Sequence, residues 1–163
     1  MSKSKYKKRD IYTLIIMAQH GESKALEELV RRVQKNIFAM FSYLTDKRQD
    51  IADLTQEALL KMARNIASLK DPARFKPWLN QIVTNVFYDY VKKHNVEIVA
   101  LTLPKGPAKK IAQKLVECGV KAFWNFAHTD LSFSDDIIVE NVHLSESLMK
   151  LTYRISEKND SKE

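Results

Sequence analysis

The sequence predicts a mixed fold, an N-terminal all-α helical bundle followed by a small α/β segment. Three observations predict it. From Asp10 to His94 apolar residues recur at helical spacing. Beyond His94 short apolar runs of strand type alternate with helical patterns. Charge divides at the same place: residues 1–95 hold 18 Lys and Arg against 10 Asp and Glu, a net +8, and residues 96–163 hold 9 against 10, a net −1. At 163 residues the chain has room for one ordinary domain or two small ones. We delimit a basic flexible arm at 1–9, a helical domain at 10–94, an α/β domain at 96–156 and a polar tail at 157–163.

Within the helical part, Ile11, Leu14, Ile15 and Ala18 mark a short first helix that ends near His20-Gly21. Ser23 is read as the cap of the next, whose stripe is Leu26, Leu29, Val30, Val33, Ile37, Met40 and Phe41. Asp50 is read as the cap of a third helix, with Leu54, Ala58, Leu59, Met62, Ala63 and Ile66 inward. Asp71-Pro72 interrupts the chain. A fourth helix opens around Lys76-Pro77, where proline is tolerated because first-turn amides have no intrahelical acceptor. Its stripe is Trp78, Leu79, Ile82, Val83, Val86, Phe87 and Tyr90, and helices with such stripes bury one another.

The run at 96–103 is nearly continuous in apolar residues, as a strand buried on both faces reads. Residues 105–118 form an amphipathic helix with Ala108, Ile111, Ala112, Leu115 and Val116 inward, stopped by Gly119. Strands follow at 121–126 and 136–142, then a helix at 144–156 with Leu148, Leu151 and Ile155 on one face. Strand, helix, strand, strand, helix is α/β order.

These patterns exclude several classes. A single cysteine, Cys118, rules out an internal disulfide, and its place on the inner side of a helix end reads as a structural thiol. No stretch reaches membrane-spanning length and the lysine-rich start precedes no secretory apolar run, so the expected location is cytoplasmic, without membrane association. His94, His128 and His143, with Asp130, Asp135 and Asp136, show no metal-ligand spacing, and no nucleophile–base pair is evident. We expect no catalytic residues, no metal and no bound cofactor. The basic bias of the first part is the footprint of a polyanion-binding protein.

Four spaced elements then carry a resemblance: Ala25-Leu26-Glu27-Glu28-Leu29, Ile51-Ala52-Asp53-Leu54-Thr55-Gln56-Glu57-Ala58, Phe75-Lys76-Pro77-Trp78-Leu79, and Ile82-Val83 with Asn85 and Asp89. In this order they resemble region 2 of the sigma-70 family of bacterial RNA polymerase sigma factors, most closely the extracytoplasmic-function type. The resemblance implies that Asp53, Gln56 and Glu57 meet the largest subunit of core RNA polymerase, through charge-assisted hydrogen bonds. From the residues alone, capping and a solvated polar face remain the alternative.

The segment from Arg74 to Tyr90 resembles the part that recognises and opens the promoter −10 element. There the protein captures unpaired bases rather than performing covalent chemistry. The implied DNA-binding groups are Arg64, Asn65, Lys70, Arg74, Phe75, Lys76, Asn80, Gln81, Thr84, Tyr88, Lys92 and Lys93. Cations would position the backbone, while amides and exposed aromatics read bases. Phe75 and Tyr88 are the expected stacking residues, and Trp78 and Phe87 are read as core. Asn85 and Asp89, four apart on one face, either brace the helix or hold the loop that receives a flipped base.

Residues 96–156 resemble the second half of the dinucleotide-binding domain of the Rex redox-sensing repressors, a half-Rossmann-like segment. The resemblance rests on Val99-Ala100-Leu101-Thr102-Leu103-Pro104, Leu115-Val116-Glu117-Cys118-Gly119-Val120-Lys121, Asn125-Phe126-Ala127 and Val139-Glu140-Asn141-Val142. In a complete domain of that family Thr102-Leu103-Pro104 and Asn125-Phe126-Ala127 would line a nicotinamide pocket. With three glycines and no Gly-x-Gly-x-x-Gly, NAD(H) binding is not expected here. The strand at 96–103 is expected to lie at a sheet edge, covered by the helical domain or by a second chain, so a homodimer through the α/β part is a possible assembly.

The leading expectation is a sigma-like initiation protein that binds core RNA polymerase and melted −10 DNA. Nothing after residue 95 resembles the second helical domain with which such factors read the −35 element. The alternatives are therefore a non-initiating polymerase-binding regulator or decoy, or a fused or truncated product with a non-functional α/β half.

Overall fold

The computed structural model describes residues 3–45, 47–142 and 144–160. Met1 and Ser2 of the arm, His143, and the last three residues of the tail lie outside the described residues. The chain divides into two compact units, Met1–Tyr90 and Val91–Glu163.

The first unit is helical: α1 (Lys3–Lys7), α2 (Ile11–Gln19), α3 (Ser23–Ser42), α4 (Arg48–Asn65) and α5 (Phe75–Lys93), which runs past the division. Two 3-10 turns, Ile66–Ser68 and Pro72–Arg74, fill the link between α4 and α5. Asp10 caps α2, its carboxylate accepting from Thr13 N at 2.9 Å and from the Thr13 hydroxyl at 2.7 Å. Gly21, at φ +86, provides the left-handed residue after that helix. In α3 the buried residues Ala25, Leu29, Val33, Ile37 and Phe41 recur every fourth position. They form one core with Leu14, Ile15, Leu54, Ala58, Met62, Leu79, Val83 and Val86 from the other helices.

Several details differ from the sequence reading. The segment read as a flexible arm carries helix α1, whose Tyr6 hydroxyl donates to Glu22 at 3.0 Å. Arg32 donates to the carbonyls of Tyr6 and Lys7, so the end of α1 is tied to α3. Ser23 is the first residue of α3 rather than its cap; the capping position is Glu22, with no side-chain hydrogen bond. Asp50 lies inside the first turn of α4 and accepts instead from the Tyr90 hydroxyl at 2.5 Å, joining α4 to α5. Glu28 was not foreseen among the buried residues. It sits within the apolar stripe because Arg31 and Arg32 both donate to it, at 2.6 and 2.9 Å. Those bonds hold its carboxyl at about 2, well below the ordinary value.

The second unit holds β1 (Ile98–Leu101), α6 (Lys105–Glu117), β2 (Ala122–Asn125), β3 (Ile138–Asn141) and α7 (Leu144–Asp160). The sheet order is β1-β2-β3, all parallel, with Ile98 beside Ala122 and Ala122 beside Ile138. Helix α6 makes the long crossover that two parallel neighbours require. It ends at Cys118, followed by Gly119 at φ +100. The fold is thus a helical bundle joined to a half-Rossmann-like segment, with β1 at a sheet edge.

One expectation about the sheet is overturned. β1 is four residues long and is not buried on both faces. Val99, Leu101, Phe123, Asn125, Val139 and Asn141 share the covered face, whereas Ile98, Trp124 and Ile138 are 70%, 53% and 70% exposed. The strand's apolar run reflected composition, and strand alternation sends half of it to the open face.

Candidate nucleic-acid interface

Helix α4 separates its residues by face. Leu54, Thr55, Ala58 and Met62 are buried, and Asp53, Gln56 and Glu57 are exposed. None of the three caps the helix, whose capping position is Lys47, so the capping alternative falls away. Asp53 accepts from Gln49 at 3.0 Å, and Glu57 pairs with Lys61 at 2.9 Å. The three side chains therefore form a polar patch carrying two carboxylates, on a helix whose inner side is locked in the core.

Lys61 has a second partner. Its Nζ lies 3.0 Å from Asp89 Oδ2 on α5, so two carboxylates share one ammonium. The hydrogen bonds that Lys61 donates to Glu57 and Asp89 raise the lysine above its ordinary value. Lys61 and Asp89 help to line an open groove of ≈ 390 Å³ with Asn65, Ile82, Asn85 and Tyr88. The Asn65 amide donates to the Lys61 carbonyl at 2.8 Å, which steadies the wall on the α4 side.

A second groove, of ≈ 560 Å³, lies where the 3-10 turns meet the start of α5. Leu69, Lys70, Asp71, Arg74, Pro77, Trp78 and Gln81 line it. Asp71 shapes this turn by accepting from Ala73 N at 2.9 Å, and Gln19 reaches across from α2 to the carbonyls of Ile66 and Leu69. Gln81 in the second groove donates to Asn85 in the first at 2.8 Å, so α5 carries a continuous polar link between them.

The DNA-binding residues inferred from sequence divide accordingly. Asn65 and Tyr88 line the first groove, and Lys70, Arg74 and Gln81 line the second. Arg64, Lys76, Asn80, Lys92 and Lys93 are exposed but line neither; Thr84 is half-buried and donates to the Asn80 carbonyl. Phe75 requires correction. It is 5% exposed and belongs to the core, so it presents no face for stacking. Its neighbour Trp78, read as core, is half-buried and opens onto the second groove, its ring 6.0 Å from that of Phe75. Lys61 was absent from the inferred set, although its position four residues after Glu57 was a visible signal for an ion pair.

In the α/β unit the Asn125 amide, buried at 1% exposure, is occupied within the chain. It donates to Thr129 O at 2.8 Å and to Asn141 Oδ1 at 2.7 Å, and it accepts from Ala127 N at 3.1 Å. Asn141 in turn bonds both backbone groups of Leu131. This network closes the turn after β2, a structural task for a residue that the Rex resemblance placed at a nicotinamide pocket. Among the described residues no group of three or more His, Cys, Asp or Glu is placed to hold a metal, and no helix is long and apolar enough to cross a membrane.

Comparison with known proteins finds a likeness for each part. The family model for sigma-70 region 2 matches residues 29–96. The C-terminal half matches redox-sensing transcriptional repressors named Rex. The Rex of Caldicellulosiruptor saccharolyticus is 44% identical over 70 residues, covering 43% of this chain and 32% of the relative. That of Clostridium perfringens (strain SM101 / Type A) is 49% identical over 68 residues, covering 42% and 32%. The chain spans about a third of the length of the curated relatives it matches. Among solved structures, RSP, described as a Rex-family repressor, is 41% identical over 48% of this chain and 37% of that chain, with a TM-score of 0.43. Residues 29–96 thus resemble sigma-70 region 2, and the C-terminal half resembles part of the Rex repressors.

Proposed function

We propose that the helical unit is a sigma-like module that binds core RNA polymerase and the melted strand of a promoter −10 element. The observation carrying this reading is the arrangement around α4 and α5. An exposed acidic and amide patch lies on one helix, and two grooves, one of mixed polarity and one mainly apolar with Lys70 and Arg74 in its wall, are joined by Gln81 and Asn85 along the other. The match to sigma-70 region 2 supports reading this patch as a polymerase-binding surface. Asp53 and Glu57 would accept from cationic side chains of the polymerase largest subunit, with Gln56 supplying a donor and an acceptor between them. Lys70 and Arg74 would hold phosphates, leaving Trp78 and Tyr88 to stack against unpaired bases.

The energetics favour capture over active melting. Flipping a base costs a few kcal/mol, and one aromatic contact returns about 1–3 kcal/mol, so two grooves and the polymerase together are needed to hold the strand open. The module works without covalent chemistry and in the cytoplasm, where polymerase is. The α/β unit serves as a non-catalytic oligomerisation or partner-binding part.

Binding of the full chain to bacterial core RNA polymerase, beside a variant with Asp53, Gln56 and Glu57 all changed to alanine, tests this. Saturable binding that the variant loses by at least about tenfold is expected, since several charge-assisted contacts of about 1.5–3 kcal/mol each would be removed. Failure of the folded wild-type chain to bind would overturn it.

A further inference from the structure

The ion pairs around Lys61 connect two surfaces that the proposed function uses separately. Glu57 belongs to the polymerase-facing patch, and Asp89 lines the first groove beside Asn65, Asn85 and Tyr88. Lys61 Nζ lies within 3.0 Å of a carboxylate oxygen of each. We propose that Lys61 is a positioning residue that couples occupancy of Glu57 to strand binding in the groove. This rests on the reading of the helical unit as a polymerase- and DNA-binding module.

The coupling follows from charge. In the free chain Glu57, Lys61 and Asp89 together carry −1, and a carboxylate facing the groove repels a phosphate backbone. When a cationic side chain of the partner takes Glu57, Lys61 is released to Asp89 alone. The groove wall is then neutral, and Asp89 is fixed by an undivided ion pair. A strand of single-stranded nucleic acid enters more readily in that state. By linkage, the bound strand strengthens the partner's hold on Glu57 by the same factor. The groups are partly exposed, with Lys61 at 38%, Glu57 at 49% and Asp89 at 67%. An effect of about two- to fivefold is therefore the scale to expect.

Glu57→Gln imitates the engaged state without any polymerase. The test is anisotropy of a short fluorescein-labelled single-stranded DNA with the full chain, as wild type, Glu57→Gln, Lys61→Met and the double variant, with Lys61→Arg and its Glu57→Gln counterpart as the conservative pair. Circular dichroism checks that each is folded. The expected result is that Glu57→Gln tightens binding about two- to fivefold, that Lys61→Met abolishes this gain and that Lys61→Arg keeps it. A long-range charge effect would instead give the same gain in every background and fade with added salt. An equal gain with and without Lys61, or no gain, overturns the coupling and leaves the DNA-binding reading standing. No binding of the DNA by the folded wild type overturns both.

Discussion

Glu28 shows how one residue can contradict the stripe it sits in. Its position on α3 is a core position, yet it is a carboxylate, tolerated there because two guanidinium groups satisfy its oxygens. Its pKa of about 2 lies below the ordinary 4.5, so the stabilisation is fully present above about pH 4.5 and is lost as pH falls toward 2. Glu28→Gln is therefore expected to lower the thermal midpoint at neutral pH, with the gap from wild type closing below pH 3. Thermal denaturation followed by circular dichroism across pH 2–7 checks this, and a pH-independent gap would contradict it. Phe41 gives the apolar counterpart: fully buried in the same helix, it should cost about 3–5 kcal/mol when changed to alanine, read from urea unfolding.

At the scale of the element, helix positions were legible because the signal is local. The stripes of α2, α3, α4 and α5 repeat every three or four residues within one segment, and the structure buries most of those residues wholly or in part, Ile11 at the start of α2 being exposed. The ends were less legible. Ser23 and Asp50 had the chemistry of caps, but Glu22 and Lys47 hold the capping positions. The Asp50 carboxylate is instead committed to Tyr90, forty residues away in sequence, a pairing that no local pattern discloses. Gly119 belongs to this scale as well. A Cβ there would meet nothing within 4 Å, so the cost of Gly119→Ala comes from φ +100 alone. A loss of about 1–2 kcal/mol is expected in chemical denaturation of the α/β unit.

For the whole molecule, the open face of the sheet matters most. Parallel sheets are ordinarily covered on both sides, and here Ile98, Trp124 and Ile138 are more than half exposed. Helix α7 adds Leu148, Leu151 and Ile155, all exposed, at the one-face spacing that its sequence indicated. Such surfaces favour association, and the chain is expected to form a homodimer through its α/β part. Light scattering after size exclusion, over a range of concentrations, should show a dimer for wild type and a monomer for a Trp124→Asp, Ile138→Asp variant. A wild-type chain that stays monomeric at high concentration would contradict this.

The sequence by itself determined the two-part architecture, the periodic cores of the helices and the exposed polar side of α4. Each follows from spacing inside one segment or from the order of segments. Only the tertiary structure decided that Phe75 is buried while Trp78 opens onto a groove, that the Asn125 amide closes a turn, and that Lys61 joins Glu57 to Asp89. The reason is physical. A helical period says which side of an element faces inward, whereas burial near an element's end and an ion pair between elements depend on what the neighbouring element brings to that spot.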